Sequence, residues 1–362
     1  MAPIPMQMEN EQHPEDAAVT GEAPNFFEGS EKRLEVDFAM EGSCSSTGLR
    51  DLTREQIDHI LSLAACTIVS TYSNAYMDAY VLSESSLFVL PTKFMLKTCG
   101  TTTLLHALPA LIKMANEIGL SVAACKYSRT AFKNPSQQIF PHQSFDDEVN
   151  TLDNCLEIPS RSYVLGDSRK SRCCWHVYVA VSDKLPAQEP VAEMDVPFTV
   201  ECCMEGMHPS ACAKFYHNEC GGKASTCTEK AGIDTLFSDF VIDDYLFNPC
   251  GYSMNGIHDS AFSTIHVTPE EECSYASVEA CGVNSQTVKP TTFVEAVTKR
   301  FLPRRLIAAL TYEGRFLGDS PVVGAEIHAQ MARSVCNIPG YQCEGVSVQS
   351  LPQGGNVYFF TL

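Results

Sequence analysis

The chain has 362 residues, 44% of them hydrophobic and 19% charged, enough to bury a large core as one domain or as two fused units. A net charge of -19 at pH 7 disfavours nucleic acid as a partner, because phosphate backbones call for clustered positive charge. No apolar run approaches the roughly 20 residues needed to cross a bilayer, so no membrane partner is expected.

Residues 1–24 are acidic and Pro-rich and lack the basic start and apolar core of a secretion signal. They read as a disordered leader, with the cytoplasm as the default address. Thr53 is positioned as an N-cap, with Ile57, Ile60, Leu61 and Ala64 at helical spacing behind it. Residues 80–82, 87–90 and 94–99 read as strands, and 104–118 as an amphipathic helix after a threonine cap. Further strands are expected at 176–181, 239–242, 263–267, 275–278 and 306–311, with a helix at 292–301. This mixture is that of an α+β protein. The 17 cysteines are scattered along a large chain and are expected to be reduced thiols. Cys173-Cys174 and Cys202-Cys203 are adjacent, and Cys212, Cys220 and Cys227 lack C-x-x-C knuckles, so no metal site is expected. The stretch from Cys202 to Cys227 has no functional reading.

The most informative motif is Glu84-Ser85-Ser86. A serine pair after a strand ordinarily marks a turn or a cap. A serine held against the preceding carbonyl has another option: its hydroxyl attacks that carbonyl and replaces the peptide bond with an ester. β-Elimination of the ester leaves a dehydroalanine, which rearranges to an imine and, on hydrolysis by water, loses ammonia to become an N-terminal pyruvoyl group. Its ketone captures a substrate amine as a Schiff base and accepts the electron pair released when a carboxylate leaves. Four other blocks accompany this one in order: 25–32 (NFFEGSEK), 96–103 (LKTCGTTT), 246–256 (LFNPCGYSMNG) and 264–270 (TIHVTPE).

Together these blocks resemble the eukaryotic, pyruvoyl-dependent S-adenosylmethionine decarboxylase proenzymes. The resemblance implies a four-layer αββα sandwich of two antiparallel sheets flanked by helices, with an internal duplication that the sequence does not display. It implies one domain over 25–362, cut between Glu84 and Ser85 into 1–84 (beta chain) and 85–362 (alpha chain), with the pyruvoyl cofactor made from Ser85. The partners implied are S-adenosylmethionine and the two cleavage chains, the product serving as aminopropyl donor for spermidine and spermine. A homodimer, or a heterodimer with an inactive copy, is left open.

By the same resemblance Cys99 protonates the substrate carbon after carbon dioxide leaves, a part open to a thiol that is protonated at neutral pH. Alone, Cys99 would read as a small buried hydrophobe. Ser253 steadies the oxyanion of the acyl shift, and His266 is the base for elimination. Phe27 and Phe247 sandwich the adenine, Glu270 holds the ribose, and backbone groups near Leu82 and Glu84 read the adenine edge. Glu28 and Glu31 resemble acids required for activity or processing. Glu35, Glu148, Glu201, Glu279 and Lys97 match a diamine pocket, but Pro197 stands where an aspartate is expected near Thr199. Arg33 and Lys126 resemble plant-type basic residues that replace the diamine's charge, although the plant-type histidine position holds Thr311. Activity without putrescine is therefore expected. The alternative function is a catalytically weak regulatory subunit of a decarboxylase heterodimer; such a subunit would be expected to lose processing residues, and this chain keeps Ser85, Cys99, Ser253 and His266.

Overall fold

The computed structural model describes residues 28–42, 44–167, 173–185, 197–271, 273–284, 288–312, 329–330 and 332–362. The leader and Phe27 lie outside them. In the first half, β1 (Lys32–Met40), α1 (Arg54–Leu63), β2 (Ile68–Ser73), β3 (Asp78–Leu82), β4 (Ser85–Leu90), β5 (Lys93–Thr98), α2 (Leu108–Glu117), β6 (Leu120–Thr130), α3 (Phe145–Leu156), β7 (Ser160–Gly166) and β8 (Cys174–Val181) follow in order. The second half runs β9 (Pro197–Met207), α4 (Pro209–Cys212), α5 (Ala224–Ala231), β10 (Val241–Leu246), β11 (Tyr252–His258), β12 (Ala261–Thr268), β13 (Tyr275–Asn284), α6 (Pro290–Phe301), β14 (Pro303–Tyr312), β15 (Gly345–Ser350) and β16 (Asn356–Thr361).

The strands form two eight-stranded antiparallel sheets, ordered β2-β3-β4-β5-β1-β6-β8-β7 and β10-β11-β12-β13-β9-β14-β16-β15. Adding eight to every strand of the first order reproduces the second, so the duplication implied by the resemblance is complete at the level of topology.

Strand alternation builds the layers. On β1, Leu34, Val36 and Phe38 join the core beneath α1 and α2, while Arg33 and Glu35 lie on the opposite face. The second sheet does the same beneath α5 and α6, through Met254, Ile265 and Val278. Between the sheets lie two apolar clusters, one around Trp175, Val177, Ile307 and Phe359, the other around Phe88, Met95, Ile257 and Phe262. The inner residues outside these clusters include charged and polar side chains.

Thr53 caps α1 as expected, in a capping box with Gln56: the hydroxyl accepts from the Gln56 N–H and Gln56 accepts from the Thr53 N–H. The helix expected at 104–118 differs. Residues 104–107 form a 3₁₀ turn and the α-helix starts at Leu108, because Pro109 lacks an N–H and suits only a first turn. Thr103 spends its hydroxyl on the Leu63 carbonyl rather than on a cap.

The cysteines are corrected at one place. Cys220 and Cys227 are joined as a disulfide with Cα atoms 5.7 Å apart. Turns at Gly221 and Gly222, both at positive φ, fold Cys220 back toward α5, a closeness that spacing alone does not disclose. The other fifteen are free. Among the described residues there is no cluster of metal-binding side chains and no helix long and apolar enough to cross a membrane.

Candidate active site

The β3–β4 hairpin places Ser85 at the start of β4, opposite Thr98, the last residue of β5. Cys99 follows at once. Its N–H donates to the Glu84 carbonyl oxygen at 2.9 Å and its thiol to the same oxygen at 3.2 Å. That oxygen belongs to the peptide bond joining Glu84 to Ser85, so its carbonyl is polarised by two donors. Ser85 itself has φ 151°, a conformation that costs a non-glycine residue roughly 1–3 kcal/mol. Its hydroxyl is buried and makes no well-formed hydrogen bond. Burial, then the Glu84 and Glu31 carboxylates, push the Cys99 thiol well above the ordinary cysteine value, so it stays protonated.

The second sheet supplies the opposite wall. Ser253 on β11 and His266 on β12 are register partners, with Ser253 Oγ 2.9 Å from His266 Nδ1. Their neighbours Met254, Ile265 and Val267 face the helix side, which turns Ser253, Asn255, Thr264 and His266 toward the first sheet, where Ser86 meets them. Burial, with Lys97 adding to it, lowers the His266 pKa to about 3, so its imidazole is neutral.

A cavity of about 250 Å³ joins these groups and is lined by Glu84, Ser85, Cys99, Ser253, His266, Phe247 and Glu270, among others. Phe247 is held by its N–H donating to the Gly251 carbonyl at 2.9 Å and by an edge contact with Tyr245. Gly251 sits at φ 108°, and a Cβ there would approach the Phe247 ring. A larger groove of about 940 Å³ between α2 and α3 shares no residue with this cavity.

Three expected site residues among those described, Leu82, Glu28 and Glu31, do not line the cavity. The Leu82 side chain belongs to the helix-side core, because alternation along β3 points it there. The Glu28 carboxylate accepts from the N–H groups of Ser30, Lys133 and Asn134, fastening the 132–134 segment, while the Glu28 carbonyl accepts from Gly100 N–H beside Cys99. Glu31 is buried 3.0 Å from Lys97 Nζ, and burial raises its carboxyl above the ordinary value.

Behind His266, the inner layer becomes a charge network. Glu201 and Glu279 are opposed in register, an arrangement that repels unless cations intervene. Lys97 lies 2.9 Å from Glu279 and 3.8 Å from Glu201, and Arg33 bridges Glu279 at 2.8 Å and Glu35 at 2.7 Å. Burial works against the Lys97 ammonium, but its three carboxylates outweigh it and hold it charged. Lys126 stands opposite Glu35 and acts on its charge. Glu148 is not part of this layer: it lies in α3, on the helix side, where it accepts from Arg129 Nε at 2.7 Å and from Tyr127 and sits 2.8 Å from His142 Nδ1. Pro197 is exposed at the start of β9, and Thr311 pairs with Thr199.

Three histidines set the acid response, His142 and His266 buried and His176 half-buried. His142 and His176 are lowered to about 4, chiefly by burial, and His266 to about 3. An unfolded chain takes up these protons near pH 6.5 while the folded chain refuses them, so stability is full above that pH and falls toward pH 4. Each histidine costs about 1.4 kcal/mol per pH unit in that window. Glu31 and Glu201, both raised by burial, offset part of the loss. The expected Tm at pH 4.5 is roughly 5–10 °C below that at pH 7.5 by differential scanning calorimetry; equal values would contradict this assignment.

The sequence model of the adenosylmethionine decarboxylase family matches residues 24–362. The chain belongs to the adenosylmethionine decarboxylase family. It is 44% identical over 290 residues to S-adenosylmethionine decarboxylase proenzyme 3 of Brassica juncea, covering 78% of this chain and 77% of that protein. It is 40% identical over 338 residues to the S-adenosylmethionine decarboxylase proenzyme of Oryza sativa subsp. japonica, covering 91% and 80%. Among solved structures, the Trypanosoma brucei AdoMetDC-delta26 monomer shares 22% identity and a TM-score of 0.54, over 76% of this chain and 97% of that one, a likeness of fold. Ser86, Asn255 and Thr264, hydrogen-bonded to one another and to His266, are residues to which sequence reading assigns no role. Their positions in the motif blocks, one or two residues from Ser85, Ser253 and His266, are the signal available.

Proposed function

We propose that this chain cuts itself between Glu84 and Ser85 and then decarboxylates S-adenosylmethionine, supplying the aminopropyl donor of polyamine synthesis. The observation that carries the reading is the pairing of a strained, buried Ser85 hydroxyl that makes no well-formed hydrogen bond with a Glu84 carbonyl that already receives two donors from Cys99. Charge developing on that oxygen as Ser85 attacks is stabilised by the donors in place. The neutral His266 imidazole, which lines the same cavity as Ser85, is suited to take the Ser85 α-proton in elimination. The residues present therefore fit a pyruvoyl group at position 85, and the same proposal divides the chain, within its 25–362 domain, into 1–84 and 85–362. That group supplies a ketone which takes up the substrate amine and accepts the electron pair left when carbon dioxide departs.

The chain's own residues bind and protonate. Cys99, held protonated beside Ser85, is the acid that returns a proton to the substrate carbon. Phe247 offers a ring face to the adenine, with Phe27 the expected second ring, and Glu270 accepts from the ribose hydroxyls. Glu28 and Glu31 act through position: Glu28 holds the loop behind Gly100, and Glu31 anchors Lys97. A cytoplasmic address is part of the same proposal.

Steady-state kinetics test the substrate assignment. Phe247→Ala is expected to raise KM for S-adenosylmethionine roughly 5- to 150-fold, the worth of one stacked base, with kcat far less affected. An unchanged KM would remove Phe247 from the adenine site.

A further inference from the structure

Behind the cleavage site lies a chain of buried polar groups that crosses from one sheet to the other. His266 Nε2 is 2.7 Å from Thr264 Oγ1, which is 2.7 Å from Ser86 Oγ, which in turn is 2.6 Å from Asn255 Oδ1. Ser86 Oγ is also 3.0 Å from His266 Nε2. All four residues are buried. Each hydroxyl has one proton, so an end that can only accept gives the whole chain a direction. The Asn255 amide oxygen takes the Ser86 proton, Ser86 takes that of Thr264, and Thr264 Oγ1 is left to accept from Nε2–H. The neutral imidazole then carries its hydrogen on Nε2. Its lone pair is then on Nδ1, 2.9 Å from Ser253 Oγ, and both residues line the cavity with Ser85. Reversing the amide would reverse every bond: Asn255 would donate, Nε2 would accept, and Nδ1 would be blocked by its own hydrogen.

We infer that Asn255, acting through Ser86 and Thr264, is a positioning residue for self-cleavage, selecting the His266 tautomer whose Nδ1 can act as base. This rests on the self-cleavage reading. The step it serves is the second one. The base takes the Ser85 α-proton, the C–H electron pair becomes the Cα–Cβ double bond, and the Cβ–Oγ bond breaks. Glu84 leaves as the free carboxylate end of its chain, and the proton is left on His266. The acyl shift that forms the ester needs no such tautomer, so loss of Asn255 should let the ester form and then stall.

The test follows processing of freshly synthesised full-length chain by intact mass, with and without hydroxylamine, in wild type, Asn255→Leu, Asn255→Asp and Thr264→Val. Hydroxylamine cuts an ester to leave a hydroxamate on Glu84 and an intact serine at position 85, which mass separates from a pyruvoyl end. The expected result is that Asn255→Leu and Thr264→Val form the pyruvoyl chain at least tenfold more slowly than wild type and accumulate hydroxylamine-sensitive ester. Asn255→Asp, which keeps an acceptor at the end of the relay, recovers most of the rate. A merely structural role predicts the opposite order, since leucine fills the space without burying a charge. Melting curves of the three variants separate misfolding from stalling, and a folded Asn255→Leu that processes as fast as wild type, or faster than Asn255→Asp, overturns the inference. A wild-type chain that stays uncut refutes the self-cleavage reading itself.

Discussion

Ser85→Ala is expected to leave one uncut chain with no decarboxylase activity. Alanine has no oxygen to attack the Glu84 carbonyl, so no ester forms, and no carbonyl can arise at position 85. The fold should survive, because the substitution removes a buried hydroxyl that makes no well-formed hydrogen bond and leaves the β4–β5 pairing with Thr98 in place. Denaturing electrophoresis and carbon dioxide release read the two effects separately. Two chains from Ser85→Ala would mean that Ser85 is not the nucleophile, and activity in an uncut chain would mean that the pyruvoyl group is not the source of catalysis.

The second large effect is expected in the charge layer between the sheets. Arg33 is the bridge between Glu279 and Glu35, and all three side chains are almost fully buried. Arg33→Leu strands a carboxylate network that Lys97, Lys93 and Lys126 would have to balance without it. Removing one partner of a buried ion pair costs roughly 3–5 kcal/mol, so in a chain of 362 residues the variant should melt roughly 4–7 °C lower than wild type. The same argument bears on putrescine. With Arg33 and Lys126 supplying charge beside Glu35 and Glu279, wild type is expected to work without a diamine, whereas added putrescine should raise the Tm of Arg33→Leu. A large putrescine stimulation of the wild-type rate would contradict this account, as would an Arg33→Leu chain of unchanged stability.

That layer also explains what could be read from the sequence. Residues 87–90 and 94–99 read as strands because Leu87, Phe88, Val89 and Leu90 of β4 and Phe94, Met95 and Leu96 of β5 form short continuous apolar runs. β1 escapes the same reading: Lys32, Arg33, Glu35 and Asp37 interrupt Leu34, Val36 and Phe38, and charge on a strand face ordinarily signals solvent rather than a second sheet. The motif blocks gave the residues around the cut and nearly all of the cavity wall. They could not give the relay, since Ser86 and Asn255 are separated by 169 positions and meet only when the two sheets stack. Glu148 fell with the wrong group for a related reason. A carboxylate matched by motif carries no indication of which sheet face it serves, and α3 holds this one on the helix side with Arg129. The duplication was likewise invisible in the residues and plain in the strand order.

The most direct test of self-cleavage is the intact mass of the purified full-length protein under denaturing conditions, with peptide mapping of any new ends. The expected result is two chains, one ending at Glu84 and the other beginning with a pyruvoyl group at position 85. A single chain of 39.7 kDa, in a protein shown to be folded, would contradict the account.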